Sequence, residues 1–277
     1  MSAAIIEEND GDPYTVVITV TPDVAKRWLT KNLLNRTLRP RQVDSYVRDM
    51  LAGNWELNGE SIKWSVTETL LDGQHRLRAV VKSGVTIRSF VTFNLPVSTQ
   101  ISMDTGIKRT PGDALGIKGQ PNANQLAAIV RLALAVQDIG YQAMQNYRPT
   151  TAEMNAAVLG DPSFAEAAKF TANIRVPEIR FSSIIGYAYW RMAKIDKGDA
   201  RTFWQQASTK VGFREGDPIL VLVKRFGEAR AKREDLPKPA MMSLIFRAWN
   251  AYRAGKTLTR LRINSTKGGL IEVPEPK

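Results

Sequence analysis

Apolar positions along this chain keep one rhythm for about the first hundred residues and another after about residue 125. Tyr14–Val20 is a run of β-branched residues that reads as a strand. Thr21-Pro22-Asp23 then combines a capping hydroxyl with a proline suited to the first helical position. Val24, Trp28 and Leu29 recur on one side of the helix that this start predicts, with its end near Lys31 or Asn32. A second helix is expected over 41–51, opened by Pro40, with Val43, Tyr46, Val47 and Met50 at helical spacing and Gly53 as its C-terminal cap. Alternation returns at Ser61–Ser65, where Ile62 and Trp64 stand against polar neighbours, again over 69–71, and over 86–93. A helix over 76–82 separates the last two strands.

Residues 94–125 are crowded with turn formers, among them Pro96, Gly106, Pro111, Gly112, Gly119 and Pro121. Beyond them the period is helical over 125–136, 151–159, 164–172, 182–192, 200–208 and Lys238–Arg253. The last helix is amphipathic through Met241, Leu244, Ile245, Ala248, Trp249 and Tyr252. The Gly- and Pro-bearing tail after Lys267 is expected to fray. The pattern predicts an α+β chain with an N-terminal domain over 1–112 and an all-helical C-terminal domain over 120–277.

Charge adds a partner class. The 277 residues carry 39 Lys and Arg against 27 Asp and Glu, a formal charge of +12, which points to a polyanion and first to nucleic acid. Residues 224–267 alone hold 12 cations against 3 acids. Here Arg247, Arg253, Lys256, Arg260 and Arg262 form a candidate DNA surface, while the spacing of Trp249 and Tyr252 assigns those rings to the core. The absence of cysteine removes disulfides, thiolate chemistry and cysteine-bound zinc, and the single histidine argues against a transition-metal site. No apolar run reaches the ~18 residues of a membrane span. The expected location is the cytoplasm, that of the host if the chain is phage-encoded.

The densest candidate chemistry is the run from Leu70 to Ala79. An apolar pair enters an Asp-Gly turn that opens directly into a basic helix, an arrangement that presents backbone N–H groups to an anion. Gly73 supplies the turn, and Arg76 and Arg78 are multidentate phosphate donors beside Gln74 and His75. Asp72 has two readings, a magnesium ligand or general base, and the Asx turn that Asp-Gly favours. A second segment offers Thr105, Lys108, Arg109 and Thr110 to an anion, or is a charged interdomain turn, and it lacks the glycine spacing of a Walker A loop. Arg36, Arg39 and Arg41 bracket the connector into the second helix, where they can reach the same pocket or a nucleic-acid backbone.

The run Asp72-Gly73-Gln74-His75-Arg76-Leu77-Arg78-Ala79, with Asn58-Gly59-Glu60-Ser61-Ile62 before it, resembles the signature of the ParB/sulfiredoxin superfamily. ParB proteins carry a Gly-acid-Arg-Arg-x-Arg-Ala box whose arginines hold nucleotide phosphates. This chain keeps Gly73, Arg76, Arg78 and Ala79 and departs at Gln74 and His75. The cysteine of the sulfiredoxin box is absent. The chain is most similar to the ParB-like proteins of bacteriophages and mobile elements, in this box, in the later Asp104-to-Leu115 segment and in Ala248-Trp249-Asn250-Ala251-Tyr252. The resemblance implies a ParB/sulfiredoxin-like N-terminal domain and a nucleoside triphosphate, CTP or ATP with magnesium. It also implies that segment 104–110 completes the pocket, and an acid–base role for Glu60, whose alternative is a surface carboxylate. The leading expectation is a DNA-associated protein holding a nucleotide or nucleic-acid phosphate at the box. Two alternatives stay open: a magnesium-dependent NTPase, phosphotransferase or nuclease using Glu60 or Asp72, and a non-enzymatic DNA-binding regulator.

Overall fold

A computed structural model describes residues 11–33, 35, 37–103, 110–117 and 119–277. The chain is mixed α/β and divides into two compact units, Met1–Lys108 and Arg109–Lys277.

Unit 1 holds the strands β1 (Tyr14–Val20), β2 (Ser61–Ser65), β3 (Leu70–Asp72) and β4 (Ile87–Leu95), and the helices α1 (Pro22–Leu29), α2 (Pro40–Leu51) and α3 (Gln74–Ser83). The sheet order is β1-β4-β2-β3. Its outer pairs, β1 with β4 and β2 with β3, are antiparallel, and β2 runs parallel to β4. Register places Val20 opposite Ile87, and Val16 and Ile62 on either side of Val91. Because strand side chains alternate faces, this alignment gathers Ile18, Val20, Ile62, Ile87, Val91 and Phe93 on the side packed against the helices. Val43, Met50, Leu77 and Val80 complete that core, and Trp28 meets Trp64 edge-to-face at 5.4 Å. Helix α1 starts as its sequence predicts, with the Thr21 hydroxyl accepting from Val24 N–H at 3.2 Å. Helix α3 begins two residues earlier than expected. Gly73 takes a left-handed φ of 109° and turns β3 directly into the helix.

Unit 2 holds α4 (Pro111–Ile117), α5 (Ala123–Ala143), α6 (Thr151–Gly160), α7 (Ser163–Thr171), α8 (Ser182–Ala193), α9 (Lys197–Thr209), α10 (Pro218–Ala231) and α11 (Lys238–Arg253). Helix α8 packs on α5, α7, α9 and α11, and its run Ile184 to Tyr189 is buried. A helix surrounded by others is apolar on every side rather than along one stripe. At its crossing with α5 the backbones come so close that a Cβ on Gly186 would lie 2.6 Å from two side-chain carbons of Ile129.

Three features differ from the sequence expectations. Helix α4 occupies the turn-rich segment, started by Thr110 and Asp113, which cap each other's backbone N–H groups. Helix α10 was not expected either, although Asp217 caps it, Pro218 opens it, and Ile219, Leu222, Val223 and Phe226 follow at helical spacing. The tail does not fray. Ser243 and Arg247 of α11 bind the carbonyl and carboxylate of Glu272, Asn250 binds Glu275 O and Lys277 N, and Trp249 Nε1 donates to Lys277 O at 2.9 Å. Ser243, Arg247 and Asn250 share one helix face, so a single polar stripe holds the segment, Ser243 and Asn250 through its backbone and Arg247 through the Glu272 carboxylate.

Candidate functional site

The box lies where β3 passes into α3. Gly73 is fixed there twice over: its φ lies in the left-handed region, and a Cβ would sit 3.0 Å from both γ carbons of Ile62. The neighbouring polar groups are turned inward. Asp72 Oδ1 accepts from Gly73 N–H at 2.7 Å, and its Oδ2 faces Lys63 at 3.3 Å and Arg76 at 3.4 Å. Gln74 Oε1 accepts from Asn32 at 3.2 Å, and His75 Nε2 accepts from Arg39 N–H at 3.0 Å. Arg76 is buried, and its guanidinium donates to Glu60 O at 2.7 Å and Ser61 O at 2.6 Å.

These bonds assemble the local architecture. Arg76 holds the first residues of β2, His75 receives the residue before α2, and Gln74 receives the connector after α1. The connector in turn lies along the free edge of β3: Leu70 N–H donates to Lys31 O at 3.1 Å, and Asn35 Nδ2 donates to Leu70 O at 2.6 Å. Gln100 Nε2 reaches Leu71 O at 3.0 Å from the 3-10 turn Val97–Ser102. Asn32, Asn35, Lys63 and Gln100 have no motif of their own, and only the fold brings them to the box.

The other expected residues of unit 1 are dispersed. Glu60 is exposed, and the part of it engaged with Arg76 is the carbonyl, not the carboxylate. Arg78, Arg39 and Arg41 are exposed. Arg36, Thr105, Lys108 and Arg109 lie outside the described residues. Thr110 Oγ1, expected on an anion, bonds the Asp113 carboxylate at 2.7 Å. The described residues contain no group of three or more His, Asp or Glu side chains placed to hold a metal ion.

Unit 2 sorts the C-terminal cations into two kinds. Arg253 is committed to Asp196 and Asp199 and lies over the Trp249 ring, and Arg247 is paired with Glu272 at 2.7 Å. Trp249 is fully buried in the helical core and Tyr252 packs against it, as their spacing predicts. Lys256, Arg260 and Arg262 are exposed, and none forms an ion pair among the described residues. Arg260 and Arg262 flank Leu261, which points inward at 7% exposure, so the alternation of an extended segment puts both guanidinium groups on the outside. With Arg247 they line an open groove of about 470 Å³ that also includes Leu258, Leu261 and Pro274.

Charge is distributed unequally between the units. Residues 1–108 carry 13 Lys and Arg against 12 Asp and Glu, whereas residues 109–277 carry 26 against 15. Nearly all of the +12 therefore belongs to the helical unit, and the unit holding the box is close to neutral. No helix of the described residues is long and apolar enough to cross a membrane. No protein-family model matches the chain, nor does any curated protein or solved structure.

Proposed function

We propose that this protein is a DNA-associated protein that contacts duplex phosphates through its helical unit, with the DGQHR box serving as the joint that holds unit 1 together. The observation that carries this reading is the charge asymmetry, 26 cations against 15 acids in residues 109–277 and near balance elsewhere. A surplus of this kind favours release of condensed counterions from DNA and does not depend on base sequence. Arg260, Arg262 and Lys256 are the first contacts to name, because no carboxylate among the described residues competes for them. The ParB-like resemblance of the box suggests the same class of partner. Its implied nucleotide pocket draws no support from the geometry, since Asp72, Gln74, His75 and Arg76 all bond within unit 1. The commitment of the box's described polar side chains to bonds within unit 1 favours the non-enzymatic reading over the NTPase, phosphotransferase or nuclease.

The test is duplex affinity measured across a salt series by fluorescence anisotropy. The full chain should bind with an affinity that falls linearly on a log–log plot against salt. Arg260→Ala/Arg262→Ala should reduce that slope by about 2, roughly 0.9 for each lost phosphate contact, without lowering the melting temperature. A slope and affinity equal to those of the parent would reject these arginines as contacts, and an absence of duplex binding would reject the reading itself.

A further inference from the structure

Two arginines of the helical unit already carry an anion, and both anions come from one segment. Arg247 on α11 donates to the Glu272 carboxylate at 2.7 Å, and Arg191 on α8 is paired with the Glu275 carboxylate. Hydroxyl groups orient each guanidinium as well. Arg247 Nε donates to the Ser243 hydroxyl at 3.3 Å, and Arg191 donates to the hydroxyls of Tyr187 at 3.3 Å and Tyr141 at 3.4 Å. The arginine side chains are 25% and 26% exposed, whereas those of Glu272 and Glu275 are 51% and 65% exposed. Fixed, partly buried cations are therefore covered by acids that reach out into solvent.

These two acids have no other duty. Asp196, one of the partners of Arg253, also caps α9 by accepting from Asp199 N–H at 2.9 Å, so it cannot leave without uncapping a helix. Neither the Glu272 nor the Glu275 carboxylate has another hydrogen-bond or ion-pair partner among the described residues. Their segment is anchored through its backbone instead. Ser243 holds Glu272 O at 2.6 Å, Asn250 holds Glu275 O at 2.9 Å, and Glu272 N–H donates to Asn264 O at 2.9 Å. The carboxylates can swing away while the main chain stays in place, and exposed ion pairs are weak enough for such an exchange. Between the two glutamates Pro274 lines the same groove as Arg247, Arg260 and Arg262, so the covered arginines adjoin the open ones.

We infer that Arg191 and Arg247 form a second contact site for duplex phosphates, which Glu272 and Glu275 occupy in the free chain and surrender to DNA. A guanidinium fork takes two oxygens of a carboxylate or of a phosphate alike, so the observed acids mark where the phosphates sit. The glutamates keep the affinity of the groove below what its arginines can supply. This inference rests on the DNA reading and adds to it the regulation of the same surface.

The test compares the full chain with Glu272→Gln/Glu275→Gln in duplex binding across a salt series. The variant should bind more tightly, with a log–log salt slope steeper by about 2, roughly 0.9 for each arginine uncovered. Glu166→Gln/Glu234→Gln removes the same charge from two ion pairs outside the groove and should leave the slope unchanged. Arg247→Gln should cost more affinity in the Glu272→Gln/Glu275→Gln background than in the parent. In the unmodified chain, the carboxyl carbon-13 resonances of Glu272 and Glu275 should shift as duplex is added. Duplex binding by the parent with an unchanged slope in Glu272→Gln/Glu275→Gln, an equal change in the control, or unmoved carboxyl resonances overturns this inference and leaves the DNA reading standing. Absence of duplex binding by both the parent and the variant overturns the two together.

Discussion

Replacing Arg76 with alanine separates an architectural arginine from a ligand-binding one. The guanidinium donates to Glu60 O at 2.7 Å and Ser61 O at 2.6 Å, and its side chain is only 10% exposed. Alanine would leave both carbonyls without this donor, and an unsatisfied buried polar group costs about 1–3 kcal/mol. The Asp72 contact, at 3.4 Å, adds little, and loss of the aliphatic stem removes some packing. The expected destabilisation is therefore roughly 3–4 kcal/mol, a large share of the ~5–15 kcal/mol that holds a typical domain. Arg76→Lys should recover only part of it, because one ammonium cannot reproduce a fork between two carbonyls. Urea unfolding followed by amide hydrogen exchange in β2 and α3 reads the loss where it occurs. DNA affinity per folded molecule should not change. A loss of stability below about 1 kcal/mol, accompanied by a sharp fall in phosphate or DNA affinity, would refute the reasoning and return Arg76 to a ligand pocket.

Two further perturbations test the helical unit. Gly186→Ala improves intrinsic helix propensity by about 1 kcal/mol, yet the added Cβ meets Ile129 at 2.6 Å, so the net effect should be destabilising by about 1–3 kcal/mol in thermal or urea unfolding; a stabilised variant would show that α5 and α8 do not cross this closely. For Lys238, burial and the charges of Arg131 and Arg148 lower the folded-state value, so above it the unfolded chain retains a proton that the folded chain has released. Stability contributed at this position should therefore rise with pH from the folded value up to the ordinary lysine range, and the difference between the parent and Lys238→Met should shrink over the same interval. A difference that stays constant with pH would mean that Lys238 is not repelled.

The sequence by itself determined most of the local elements, because their causes are local. The alternation of Tyr14–Val20, the Thr21 cap and the spacing of Met241, Leu244, Ile245 and Ala248 each act within a few residues. Helix α10 follows the same rules, through Asp217, Pro218 and the spacing from Ile219 to Phe226. Sequence also located the DGQHR box and the cations of the C-terminal segment. Only the tertiary structure decided what those groups do, since a hydrogen-bond partner can lie anywhere in the chain. Arg76 is satisfied by carbonyls 16 and 15 residues away, and His75 by an N–H 36 residues away. Arg253 looks identical to Arg260 in a list of charges, but Asp196 and Asp199 neutralise it while Arg260 remains exposed. Sequence fixes how many charges the chain carries; folding decides which of them are already paired, and therefore which can meet an anion from outside.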